Sequence, residues 1–400
     1  MKSSWRTPGV VLVFGTTILF ISFGARNIFG LLLDPMTTSL GWTPADFSFA
    51  IALQAFLWGM TTPITASLAD RYGTAKMVFA GGILYAVGLA LMSRVSTPME
   101  MNLTSGLMLG LGLSATGFPI ILAAVTKHVD ARRRSLFLGI GSAAGSSGQL
   151  ALVPLGQHLI EGYGWVTMVM IFACIAALMV PMAAAFAEPK REAPAPGVSH
   201  QRLGEALREA MSHRGFILLT VGYFVCGFQI LFLATHLPKF LLQAGQGPWV
   251  GATALSLIGL FNIIGTLAWG ALGGRWRMKY LLSAIYVLRS LALIAFVLVP
   301  ITPLSTYVFA CVMGLLWLAT VPLTSGLVAQ IFGLRYMATL TGLVFFSHQL
   351  GSFFGIWLGG KLFVDTGSYD TIWWMCVALG LVAALLHYPI NDRPVERAAA

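Results

Sequence analysis

The sequence predicts an all-α membrane protein: twelve transmembrane helices in two pseudo-symmetric six-helix bundles. Three observations carry this. Of 400 residues, 57% are hydrophobic and only 10% charged, where a soluble domain carries about 25% charged residues. Apolar runs long enough to cross a bilayer, about 20 residues each, recur along the whole chain. One long polar segment, 188–215, divides those runs six and six. So much apolar surface cannot be hidden from water in a chain of this length, so lipid is its solvent.

The expected spans are 9–33, 45–69, 77–95, 101–126, 136–160, 165–187, 216–241, 248–272, 280–299, 304–329, 338–362 and 368–389. The first run follows Met1-Lys2-Ser3-Ser4-Trp5-Arg6 without a small-residue cleavage site, and is expected to be retained as a helix. The polar divider carries Pro189, Pro194 and Pro196. It then turns amphipathic near 201–213, with Leu203, Ala206, Leu207 and Ala210 at helical spacing. The expected organisation is a bundle over 1–187, a cytoplasmic linker over 188–215 and a second bundle over 216–400.

The halves read as repeats. An offset of 203 pairs Pro119 with Pro322, Arg132 with Arg335, Gly139 with Gly342, Gly148 with Gly351, and Arg26 with Gln229. Duplicated halves place a substrate site between them near the midplane and allow rocking about it. Gly139, Gly141, Ala144, Gly145 and Gly148 form a small-residue stripe that suits close helix packing or a thin cavity wall.

The net charge is +10. About nineteen of the Lys and Arg fall in the N-terminus, the even-numbered loops and the C-tail, as the cytoplasmic bias of basic residues requires. The basic balance therefore reports topology, with both termini cytoplasmic, and not nucleic-acid binding. Cys174, Cys226, Cys311 and Cys376 lie in apolar spans without metal-ligand spacing. No methionine pair suits a copper site, no phosphate-binding glycine loop suggests ATP drive, and no nucleophile elbow suggests catalysis. No cofactor, no metal and no enzyme activity are expected.

Ser67-Leu68-Ala69-Asp70-Arg71-Tyr72-Gly73 follows the second span, with Lys76 beyond it. It resembles the signature loop of the major facilitator superfamily, with Ala66 in place of the first glycine. Gly270-Ala271-Leu272-Gly273-Gly274-Arg275 is a degraded second copy without the acid. In this resemblance Asp70 latches the cytoplasmic side. Arg132-Arg133-Arg134-Ser135-Leu136, then Gly139 and Ala143-Ala144-Gly145-Ser146, is similar to the bacterial branch of the monocarboxylate transporter family. Arg26 stands where that family carries a lysine. Two features depart from it. Trp5-Arg6-Thr7-Pro8-Gly9 lacks the acidic-glycine-tryptophan opening, and the late helix-eight Asp and Arg of animal members match Asn262 and Thr266 here.

Ionisable side chains inside a membrane are costly and face a cavity or a partner. The intramembrane set is Arg26, Arg289, His236 and His348, and none of the 14 Asp and Glu falls in mid-span. A positive interior with no acid of its own is suited to an anion. Arg26 lies about 25 Å into the first span at 1.5 Å per residue, and its planar fork matches a carboxylate. The other use of Arg26 is a cap on the outer gate, paired with Asp34 or Asp46. Asn27 beside it, and Gln229, His348 and Asn262, complete the expected substrate contacts. His236, Asp34, Asp46, Asp70 and Arg289 are candidates for gating or proton coupling. Arg289, on a peripheral helix by resemblance, is expected to hold carbonyls of the second half. Phe261, Trp317, Phe345 and Phe346 could wall a pocket or simply pack.

The sequence thus points to a secondary transporter of a small organic anion, a mono- or dicarboxylate, working by alternating access with proton symport or exchange. Proton-driven efflux of drugs or metabolites is the alternative; it would call for a cavity acid. A sensor with a transporter fold is the third. The expected setting is a bacterial inner membrane, the expected state a monomer.

Overall fold

The computed structural model describes residues 7–127, 134–187, 203–333 and 336–395. Among these the regular elements are helical. The first span is α1 (Pro8–Asn27) and α2 (Phe29–Leu40), joined at Ile28. The second is α3 (Pro44–Tyr72), the third α4 (Thr74–Met92). The fourth runs through α5 (Pro98–Met101), a π-helical stretch (Asn102–Met108), α6 (Leu109–Thr116) and α7 (Phe118–Lys127), with a break at Gly117.

The next helix, α8 (Arg134–Ala177), has 44 residues. At 1.5 Å per residue it would reach about 66 Å, twice a bilayer core. Gly164, at φ 80° and ψ 164°, divides it into the fifth and sixth spans, and only glycine adopts this backbone readily. α9 (Met179–Met182) and a 3₁₀ turn end the sixth. The amphipathic stretch expected near 201–213 forms α10 (Leu203–Ser212). Pro189, Pro194 and Pro196 lie outside the described residues.

The second half contains α11 (Arg214–Gln243), α12 (Pro248–Gly273), α13 (Met278–Leu298), α14 (Pro303–Leu316) and α15 (Thr320–Phe332), which share the tenth span, α16 (Met337–Thr366) and α17 (Asp370–His387). Ten stretches are long and apolar enough to cross a membrane. One of them is the pair divided at Gly164, and α16, 30 residues long and less apolar, packs along α11 and α3 as the remaining span, which makes twelve. Thr-Pro pairs start several spans: Thr7, Thr43, Thr97 and Thr302 cap helices whose first residue is proline, the position where a missing N–H costs nothing. Ile64, Leu267, Leu291 and Leu385 are exposed on helix exteriors, as lipid-facing residues should be.

The repeat is visible in packing. A Cβ on Gly148 would lie 2.0 Å from the Phe20 carbonyl, and one on Gly351 would lie 1.9 Å from the Phe224 carbonyl. Span five thus meets span one, and span eleven meets span seven, backbone to backbone. The tenth span breaks at Trp317–Ala319, one residue before the position that the repeat offset assigns to the break in the fourth.

The halves are drawn together from the middle of the molecule toward the end opposite the termini, the distal end. α3 packs on α16, α8 on α12 and α2 on α11. Between described residues, the cross-half bonds include those from Gln349 to the Ala55 carbonyl at 3.2 Å and from Gln149 to the Leu255 carbonyl at 2.8 Å. Further out, Trp249 donates to Glu161 at 2.7 Å, and Lys239 meets Asp34 at 2.5 Å.

Candidate functional site

Arg26 occupies the last turn of α1, just before the Ile28 joint. Its Cζ lies 5.0 Å from the ring centroid of Trp58 on α3. Its Nε and Nη2 are shut from solvent and have no acceptor. No carboxylate of the described residues pairs with it: Asp34 is taken by Lys239, and Asp46 caps α3, accepting from Thr43 N at 3.0 Å and Thr43 Oγ1 at 2.7 Å. The gate-cap use of Arg26 through Asp34 or Asp46 is therefore not the arrangement found. Tyr85, nearby on α4, directs its hydroxyl elsewhere, to the Ser22 carbonyl at 2.8 Å.

Trp58 adds a third idle donor. It is 6% exposed, and its Nε1 has no acceptor. Trp58 is about 21 Å along α3 from Pro44 at 1.5 Å per residue, near mid-bilayer. It was absent from the sequence-derived candidates because an indole in an apolar run reads as packing. The only signal was a polar N–H in mid-span.

Across the halves, Trp58 meets Phe345 of α16 edge to face at 5.4 Å, and Phe345 stacks on His348 at 5.9 Å. His348 Nδ1 is 3.0 Å from Gln349 Oε1, and its ring lies 5.0 Å from that of Tyr223. Arg26 and His348, one from each half, thus stand on the same aromatic row.

The other candidates fall elsewhere. Asn27 turns its amide back to the Phe23 carbonyl at 2.8 Å. Asn262 donates to Ser146 Oγ across the halves at 2.8 Å and accepts from Leu318 N at 3.0 Å. Gln229 does not face Arg26. Its Nε2 donates to the Cys376 carbonyl of α17 at 2.8 Å, and Gly380 leaves the room for it. α11 is buried on nearly every side at this level, so sequence offset alone could not tell which side position 229 faces.

His236 is fully buried near the distal end, 2.9 Å from the Ile356 carbonyl, 3.1 Å from Tyr369 Oη and 3.5 Å from Ser48 Oγ of the other half. Asp70 is exposed at the proximal end of α3 and is bonded within the chain. Arg132, Arg133 and Arg335 lie outside the described residues. Arg289 is fully buried. It donates to the Leu316 carbonyl at 2.6 Å, the Trp317 carbonyl at 2.6 Å and Cys226 Sγ at 3.3 Å. It braces the break in the tenth span, where a helix end leaves carbonyls without partners. Phe261 lies under Gly314, and Trp317 is 4% exposed at that same break.

A broken fourth and tenth span, paired halves and a midplane row of polar groups define a transporter architecture. The family model of the Major Facilitator Superfamily matches residues 15–356, and the chain belongs to that superfamily. An uncharacterized MFS-type transporter of Bacillus subtilis (strain 168), YcxA, is 25% identical over 98% of this chain and 98% of its own length. Monocarboxylate transporter 13 of Bos taurus is 24% identical over 94% of this chain and 88% of its own. Among solved structures, a bacterial homolog to the human lysosomal transporter Spinster, in an inward-facing and unoccupied conformation, superposes with a TM-score of 0.77 at 15% identity, covering 100% of both chains.

Proposed function

We propose that this protein is a secondary active transporter of a small organic anion, a mono- or dicarboxylate, working by alternating access. The observation that supports it is the guanidinium of Arg26, with two donors closed to solvent and unused and no acid of the described residues paired with it. Burying an unpaired charge costs several kcal/mol or more. That cost falls when a carboxylate arrives and takes both donors of the fork. Anion binding would therefore lower the barrier to closing the halves around Arg26. The monocarboxylate transporter relatives agree with this substrate class.

The bias of basic residues supports cytoplasmic termini in a bacterial inner membrane, and the polar segment 188–215 supports a division into bundles over 1–187 and 216–400. In that orientation the distal end, where the halves are drawn together, is the outer one. Proton symport and anion exchange both suit the site. In symport His348, on the aromatic row, would carry the proton; exchange needs no titrating group. One chain holds the whole site, so a monomer suffices.

Thermal melts of the purified protein test this. A ligand that binds only the folded state raises the melting temperature, by about 2.7 kcal/mol of stability at a hundredfold excess over Kd. Small carboxylates should stabilise the wild type and leave Arg26→Gln unchanged. Stabilisation by cationic or neutral amphiphiles alone would contradict the anion reading and favour efflux.

A further inference from the structure

The idle donors at Arg26 stand beside a run of aromatic rings. Phe23 on α1 lies 5.6 Å from Trp58 and 4.2 Å from Phe118, which opens α7 beyond the break in the fourth span. Trp58 continues to Phe345 at 5.4 Å. Phe23, Phe118 and Phe345 are each only partly buried, so each keeps some ring surface free of protein contact. Gly145 lets these rings come close to α8: a Cβ there would sit 2.7 Å from Phe118 Cζ and 3.5 Å from Phe23 Cγ.

The second donor is set apart from the first. Arg26 lies over the ring of Trp58. Trp58 Nε1 faces the break itself, 3.4 Å from where a Cβ on Gly117 would be. Gly117 has neither side chain nor hydroxyl to accept from an indole. Its backbone is extended there, at ψ 177°, and the next helix starts at Phe118. An N–H that is nine-tenths buried beside a helix start has no acceptor among the described residues, and an anion supplies one.

We infer that the substrate is an aryl carboxylate: its carboxylate is held by Arg26 and by Trp58 Nε1, and its ring lies among Phe23, Phe118 and Phe345. This rests on the anion reading above and narrows it. A short carboxylate would satisfy the donors but leave the aromatic faces bare. A planar ring would meet them at offset or edge-on geometries, each a modest gain beyond burial.

Titration calorimetry on the purified protein decides it, with benzoate, cyclohexanecarboxylate, acetate and the uncharged benzamide as probes. Benzoate should bind at least about tenfold tighter than acetate, given several ring contacts. It should also bind tighter than cyclohexanecarboxylate, and benzamide should not bind. Trp58→Phe keeps a ring and removes the N–H, and should weaken benzoate and acetate alike by about tenfold, the size of one hydrogen bond to a charged group. Phe345→Leu should shrink the benzoate-to-acetate ratio and leave acetate unchanged. Melts of the unliganded variants check that both fold; if Trp58→Phe does not, the ratio in Phe345→Leu decides. Acetate or cyclohexanecarboxylate binding as tightly as benzoate would overturn the aryl inference and leave the anion reading standing. Benzamide binding as tightly as benzoate, or no carboxylate binding at all, would overturn both.

Discussion

Arg26 and Arg289 are the two arginines within the spans, and their surroundings differ in one respect. Arg289 is enclosed in the second bundle, and its fork is used by the carbonyls of Leu316 and Trp317 and by Cys226. Arg26 lies over Trp58 in the first bundle, and two of its three nitrogens have nothing to bind among the described residues. A satisfied buried charge holds structure together, whereas an unsatisfied one waits for a ligand. The same contrast holds for the two broken spans. In the tenth, Arg289 serves the carbonyls at the break, and Asn262 accepts from Leu318 N. In the fourth, Trp58 Nε1 faces Gly117 without an acceptor.

The largest effect that could break this comparison lies at Arg289. Arg289→Met keeps bulk and removes the donors, leaving two buried carbonyls unpaired at about 1–3 kcal/mol each. Thermal melts should show a severe loss of stability. Arg289→Lys should recover only part, because one ammonium cannot reproduce the fork. An Arg289→Met variant as stable as wild type would remove the distinction between the two arginines.

Next in size are the repeat glycines. Gly148→Ala and Gly351→Ala each force a methyl into a facing carbonyl, and overpacking of this kind costs about 1–3 kcal/mol or more. The two variants should lose similar amounts, because the contacts are repeat copies. A large loss in one alone would show that the halves are not equivalent in packing.

The distal latch should matter less to stability. Asp34 is 40% exposed in its pair with Lys239, and exposed pairs contribute about 0.2–1 kcal/mol. Asp34→Asn should scarcely change the melting temperature. It should open the distal end, so that a cysteine placed at Ser48 reacts faster with an impermeant maleimide in a background cleared of the four native cysteines. Unchanged reactivity would show that the latch does not hold the halves.

The smallest effect is at the proximal end. Asp392, after α17, accepts from Arg277 at 3.0 Å. That bond holds its carboxyl below the usual aspartate range. A depressed folded-state pKa adds stability above the unfolded value and loses it as pH falls through the folded one. The slight advantage of wild type over Asp392→Asn should therefore be present at neutral pH and fade below about pH 4. Asp392 also stands beside the degraded signature copy, Gly270 to Arg275, which has no acid of its own.

Much of this was legible in the sequence, for identifiable reasons. Spans follow from hydropathy, and the divide at Gly164 falls between the two runs expected at 136–160 and 165–187. The isolation of Arg26 follows from a list of acids that are all at span ends. Which way a side chain points was not legible where a helix is apolar all round. Gln229 was expected opposite Arg26 and lies instead against α17. Trp58 escaped notice because only its geometry, not its residue type, marks its N–H as unused. Lys239 gave no sign of a partner in the sequence, because that partner, Asp34, comes from the other half of the chain.

The central claim is that Arg26 anchors a transported anion. Counterflow of radiolabelled benzoate into proteoliposomes preloaded with unlabelled benzoate tests it most directly, comparing wild type with Arg26→Gln. The account predicts accumulation with wild type, and none with a variant that melts at the wild-type temperature or above, since the substitution removes an uncompensated buried charge. Equal counterflow by both proteins would contradict it.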